Sequence, residues 1–162
     1  KILINKDIVV LKSAIIRSCK NKIYFVTADE KESGKRMLLN FGHTFAHGIE
    51  AASNFSGKIN HGEAVLIGML LATRYSVKRK LCSESTLKKI EKIYLNNNLP
   101  SVLSKYFLKR DFYKITNYMK KDKKNNDSKI SLILLKRIGK TTVPGKIKVS
   151  LDQMKKILIS IS

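Results

Sequence analysis

The sequence predicts a mainly α-helical domain with one small β element near residues 130–143. Three observations lead there. Most of the chain carries apolar positions at helical spacing, and several of these stretches follow a capping residue. Ile130 to Leu135 is the best candidate for the short apolar run of a strand. No β-α-β rhythm and no glycine-rich nucleotide loop is present. At 162 residues and 43% hydrophobic, the chain can bury a core as a single domain.

The elements follow in order. Asp7 caps a first helix over 8–20, with Val10, Leu11, Ala14, Ile15 and Cys19 as its apolar positions. Ile23 to Thr27 reads as extended or as a short buried link, and Asp29 to Gly34 as a polar turn. A helix is expected over 35–52, then a loop over 53–58. His61-Gly62-Glu63 opens a helix over 62–79 that is apolar on most sides, and so central. Ser83 caps a helix over 84–96, which stops at three asparagines before Pro100. A short helical piece is expected after Pro100. Asp111 caps a helix over 112–121, and a charged loop covers 120–127. The strand over 130–135 is expected to pair with Thr141 to Val143 across a turn at Gly139. Ser150 and Gln153 read as a capping box for a last helix ending near Ile161.

The formal charge of +21 raises a nucleic-acid or acidic-membrane surface as one reading. However, only six of the 33 basic residues are arginine, and the lysines are spread along the chain. That is the profile of compositional drift, so no specific nucleic-acid partner is expected. The longest apolar run, Ala64 to Ala72, is too short to span a membrane. Cys19 and Cys82 have no CxxC spacing, which fits a reducing compartment without a disulfide framework. The chain opens on Lys1 with no signal-type stretch, as expected of part of a longer protein.

Arg36, Asn40, His43 and His47 fall on one face of the expected 35–52 helix. Polar groups on such an apolar helix are costly unless they face a ligand, a metal or a partner. By spacing alone, His43 and His47 fit either an i, i+4 metal chelate or two part-buried structural imidazoles. His61, the third and last histidine, follows a loop that can fold it back beside His43. Glu50 and Glu63 are candidate carboxylate partners. Arg36 offers a planar fork for a carboxylate or phosphate. Lys22, Lys123 and Lys124 add charge, but in a chain this rich in lysine each alone carries little weight.

The string Asn40-Phe41-Gly42-His43-Thr44-Phe45-Ala46-His47-Gly48-Ile49-Glu50-Ala51, followed by His61-Gly62-Glu63-Ala64-Val65, closely resembles 3-dehydroquinate synthases. Asp122-Lys123-Lys124 and the 130–139 segment resemble later motifs of the same family. The resemblance covers nearly the whole chain, 1–162, but only the family's C-terminal, largely helical domain. It implies a cytoplasmic, homodimeric lyase of the shikimate pathway, which leads to chorismate and the aromatic amino acids. That enzyme converts the sugar-acid phosphate DAHP into 3-dehydroquinate and phosphate, using NAD and a divalent metal, zinc or cobalt. By resemblance, His43 and His61 are metal ligands and His47 contacts substrate. Asn40 and Lys124 lie by the phosphate, and Lys22 and Arg36 by the substrate carboxylate. The NAD-binding domain and a glutamate that is the third metal ligand are expected upstream, in cis or in trans. The chain is therefore expected to be inactive alone.

Two other readings stand beside this one. Another sugar-phosphate cyclase would share the metal histidines, but its substrates lack the carboxylate that Arg36 and Lys22 suit. A basic nucleic-acid-binding protein rests on charge alone, and the intact motif residues weigh against an inactive remnant.

Overall fold

Capping chemistry sets most of the helix boundaries. The computed structural model describes residues 7–53, 59–121 and 129–162, which fall into two compact units, 1–39 and 40–162. Most of the predicted 53–58 loop lies outside the described residues, as do Asp122, Lys123, Lys124 and the rest of the charged loop up to Asp127.

In the first unit, Asp7 Oδ1 accepts from the backbone N–H groups of Val9 and Val10 at 3.0 and 3.2 Å, and opens helix α1, Ile8–Ala28. The extended segment expected over 23–27 is instead the end of this helix. Once a helix is nucleated, each further residue fixed adds a hydrogen bond without repeating the cost of the nucleus, which here outweighs the β preference of Ile23, Tyr24 and Val26. The Thr27 hydroxyl supports that turn by donating to the Ile23 carbonyl. None of the α1 residues is buried.

The helix expected over 35–52 is broken in two. Lys35–Asn40 forms a 3-10 helix, and α2, His43–Ala52, starts afresh after Gly42. Gly42 has φ +83°, a left-handed conformation that suits glycine. A Cβ there would also lie 2.6 Å from the Met69 backbone nitrogen. Arg36 and Asn40 therefore do not share a helix with His43 and His47.

In the second unit, α3 spans His61–Lys78 and is the central helix, with Ile67, Leu70, Leu71 and Tyr75 among its buried residues. It packs against α2, α4 (Glu84–Asn96) and α6 (Leu151–Ile161). Gly68 makes the α2–α3 approach tight, since a Cβ there would stand 2.3 Å from the Gly42 carbonyl oxygen. Helix α5, Phe112–Lys121, packs against α2 and α6. Phe45, Ile49, Ile115, Met119, Met154 and Leu158 fill the core between them. Burying each such side chain stabilises by about 1.5–3 kcal/mol.

The caps at Ser83 and Ser150 form as expected, the latter with Gln153 as a reciprocal capping box. Asp111 is different: it ends a short 3-10 turn, Lys109–Asp111, and pairs with Lys114 at 3.2 Å. The helical piece after Pro100 is the 3-10 turn Leu103–Lys105.

The expected strand over 130–135 is also split. β1, Ile130–Leu132, and β2, Leu135–Arg137, belong to separate two-stranded antiparallel sheets. β2 pairs with β3, Lys140–Thr141, across the Gly139 turn, with Leu135 opposite Thr141. β1 pairs instead with β4, Ile147–Val149, with Ile130 opposite Val149. The sheets are tied to helices by side chains. Ser76 Oγ accepts from the Leu135 N–H at 2.8 Å, and the Thr44 hydroxyl donates to the Ser131 carbonyl at 3.1 Å.

Candidate functional site

His43 is the first residue of α2, placed by the left-handed Gly42 before it. His47 lies one turn later, and the two ring centroids are 5.8 Å apart with planes at 82°. His61 is the first residue of α3. Its backbone is set by Asn60, whose Oδ1 accepts from the Glu63 N–H at 3.0 Å while Glu63 Oε2 accepts from the Asn60 N–H at 3.0 Å. The ring centroids of His61 and His43 are 5.7 Å apart, tilted by 59°. All three histidines of the chain thus gather where the starts of α2 and α3 meet.

The two candidate glutamates separate cleanly. Glu63 is taken up by the capping box. Its charge, after burial, helps push the Tyr106 phenol above its ordinary pKa. Glu50 reaches the site, with Oε1 3.0 Å from His61 Nδ1. Its side chain is 16% exposed, against 59% for that of His61. A carboxylate can only accept here, so His61 Nδ1 is the donor in this contact. On α2, Glu50 follows His47 by three residues and His43 by seven, which is one helical face.

The remaining candidates are placed as follows. Asn40 is half-buried at the end of the 3-10 helix. In the 1–39 unit, the Arg36 guanidinium donates to the Glu30 carbonyl at 2.8 Å, and Lys22 lies exposed on α1. Lys124 is outside the described residues.

Two imidazoles bound to one divalent ion at metal–nitrogen distances near 2.0–2.1 Å hold their centroids roughly 5–6 Å apart. The His43–His61 pair fits that spacing. Among the described residues, no group of three histidine, cysteine, aspartate or glutamate side chains is arranged to hold a metal ion.

The family model for the 3-dehydroquinate synthase C-terminal region matches residues 2–125. The 3-dehydroquinate synthase of Pelagibacter ubique is 48% identical over 139 residues, covering 83% of this chain and 38% of that protein. The 3-dehydroquinate synthase of Dictyoglomus thermophilum is 44% identical, covering 87% of this chain and 38% of that one. The chain thus spans little more than a third of the length of these relatives. Among solved structures, a 2-deoxy-scyllo-inosose synthase complexed with carbaglucose-6-phosphate, NAD+ and Co2+ superposes with a TM-score of 0.67 at 25% identity, over 87% of this chain and 38% of that one.

Proposed function

The chain belongs to the 3-dehydroquinate synthase family, and from that premise we propose that it is the metal-binding, substrate-gripping part of an enzyme that converts DAHP into 3-dehydroquinate and phosphate. The observation that carries this reading is the gathering of His43, His47 and His61, with Glu50 bonded to His61.

In this reading, His43 and His61 hold a divalent zinc or cobalt ion, with a third ligand supplied from elsewhere in the enzyme. Such an ion supplies Lewis acidity toward the substrate's oxygens, and NAD, bound by the family's N-terminal domain, supplies the redox step. Glu50 fixes the His61 tautomer so that Nε2 is the donor. His47, one turn from His43, holds or moves a proton at the reacting oxygens. Arg36 and Lys22 grip the substrate carboxylate, and Asn40 and Lys124 its phosphate. These groups orient a strongly anionic substrate, so their contribution is positional and electrostatic. By the same reading the enzyme is a cytoplasmic homodimer, and this part works only with its N-terminal half, in cis or in trans.

Mixing tests the proposal. The chain alone, given DAHP, NAD and zinc, is expected to release no phosphate, and addition of an NAD-binding half from a relative is expected to restore turnover. Turnover by the chain alone, or none in any mixture or fusion, would overturn it. Two relatives at 44–48% identity bear the dehydroquinate synthase name, whereas the solved inosose synthase is 25% identical, which favours DAHP over a substrate without a carboxylate.

A further inference from the structure

A second polar site lies at the other end of α3. By helix rise alone, Tyr75 sits roughly 20 Å along α3 from His61. There a surface pocket of about 310 Å³ opens between the end of α3, β4 and α6. Lys78, Arg79, Lys148 and Lys156 line it, and among the described residues no carboxylate does. Of the described acids, Asp152 lies 3.6 Å from Lys155, and Glu91 lies 3.0 Å from Arg74. Like charges facing one concavity repel each other, so an anion bound there gains attraction and relieves that repulsion.

Two details make the pocket more than a patch of lysines. The Arg79 guanidinium stands 5.8 Å from the centroid of the buried Tyr75 ring, and its Nη1 lies 3.4 Å from the phenol oxygen. This restrains the guanidinium fork at the wall. Gln153 spends its carbonyl oxygen on the Ser150 N–H, so its NH2 group is the half left to donate. Val149 and Ile157 supply an apolar part of the lining. We propose that this pocket binds a small phosphorylated anion, at a site separate from the histidine cluster. Its concave shape suits a metabolite-sized ligand better than the backbone of a long polymer. This inference does not rest on the proposed activity.

The test is calorimetric titration of pyrophosphate into the full chain at constant ionic strength, with amide shifts recorded by NMR. One saturable site is expected, with shifts at Val149 and Ile157. Arg79→Gln with Lys156→Gln should weaken binding by at least about tenfold. Lys88→Gln with Lys92→Gln, which removes the same charge from exposed positions on α4, should change it by less than about twofold. Lys78→Gln alone should weaken binding in the same direction, so the answer does not hang on one variant. Equal weakening by both double variants, binding that never saturates, or shifts confined to the His43 and His61 region would overturn the proposal.

Discussion

Glu50 on α2 lies 3.0 Å from Nδ1 of His61 at the start of α3, so one carboxylate joins the two helices that carry the histidine cluster. A carboxylate behind a ligating imidazole fixes its tautomer and raises its basicity, an effect worth about 10–100-fold in metal affinity. Glu50→Gln keeps the shape but loses the charge, and is expected to weaken cobalt(II) binding by about tenfold. Glu50→Ala is expected to weaken it further. Competition with a chromophoric chelator measures this without any assay of turnover. Equal cobalt affinity in Glu50→Gln and the parent chain would remove Glu50 from the site.

The glycines at the α2–α3 crossing give a stability prediction. In Gly68→Ala the new methyl group meets the Gly42 carbonyl oxygen at 2.3 Å and the Ala46 nitrogen at 3.2 Å, both backbone atoms that cannot swing away. Overpacking of this kind costs about 3 kcal/mol, offset by about 1 kcal/mol of helix propensity. Gly139 has φ +79° but open space around it, so Gly139→Ala should cost about 1 kcal/mol from backbone strain alone. Urea unfolding curves should therefore rank Gly68→Ala as the more damaging change. Parent-like stability in Gly68→Ala would show that the helices can separate freely.

These contacts explain which parts of the structure were legible in the sequence. Helices α4 and α6 begin where Ser83 and Ser150 announce them, because capping is chemistry within one turn. The break at Gly42 was not legible, since it depends on Met69 and Gly68, which are distant in sequence. β4 was missed because Ile147-Lys148-Val149 is short and half-exposed, and gains its partner only when β1 is placed. In the site, Asn60 followed by Glu63 ahead of an apolar run is a capping-box signature. Read that way, it would have assigned Glu63 to the cap and left Glu50 as the partner for His61. The value of Thr44 was not readable, because its acceptor, Ser131, lies in another element.

Asp29 gives a pH prediction for the turn before the 3-10 helix. Its carboxylate accepts from the Ser33 N–H at 3.0 Å, the Gly34 N–H at 2.7 Å and the Arg36 N–H at 3.0 Å. These bonds, that from Ser33 foremost, hold its pKa below the ordinary 3.8. A depressed pKa means that the turn's stabilisation is present above the unfolded value and is lost as pH falls through the folded one. Amide shifts of Ser33, Gly34 and Arg36 should therefore titrate together with an apparent pKa below 3.8. In Asp29→Asn that acidic transition should vanish. A transition at or above 3.8 would show that the carboxylate is not held by these donors.

Tyr94 carries the corresponding prediction at alkaline pH. The ring is 6% exposed against α3, and its hydroxyl donates to the Leu66 carbonyl at 2.8 Å. Burial disfavours the phenolate and pushes the pKa from 10.0 up to about 12. The folded state therefore holds this proton more tightly than the unfolded chain does. The resulting stabilisation is complete below pH 10 and is lost as pH rises through about 12. Ultraviolet titration should show fewer tyrosines ionising near pH 10 in the folded chain than in urea, with Tyr94 held back furthest and Tyr106 also raised. Tyr94→Phe should remove the Tyr94 part of that difference, leaving that of Tyr106, and cost about 1 kcal/mol, because the Leu66 carbonyl loses a partner while the ring packing is kept. If folded Tyr94 ionised near 10, α4 would have to be open to water at this contact, and its docking on α3 would be weaker than the hydrogen bond implies.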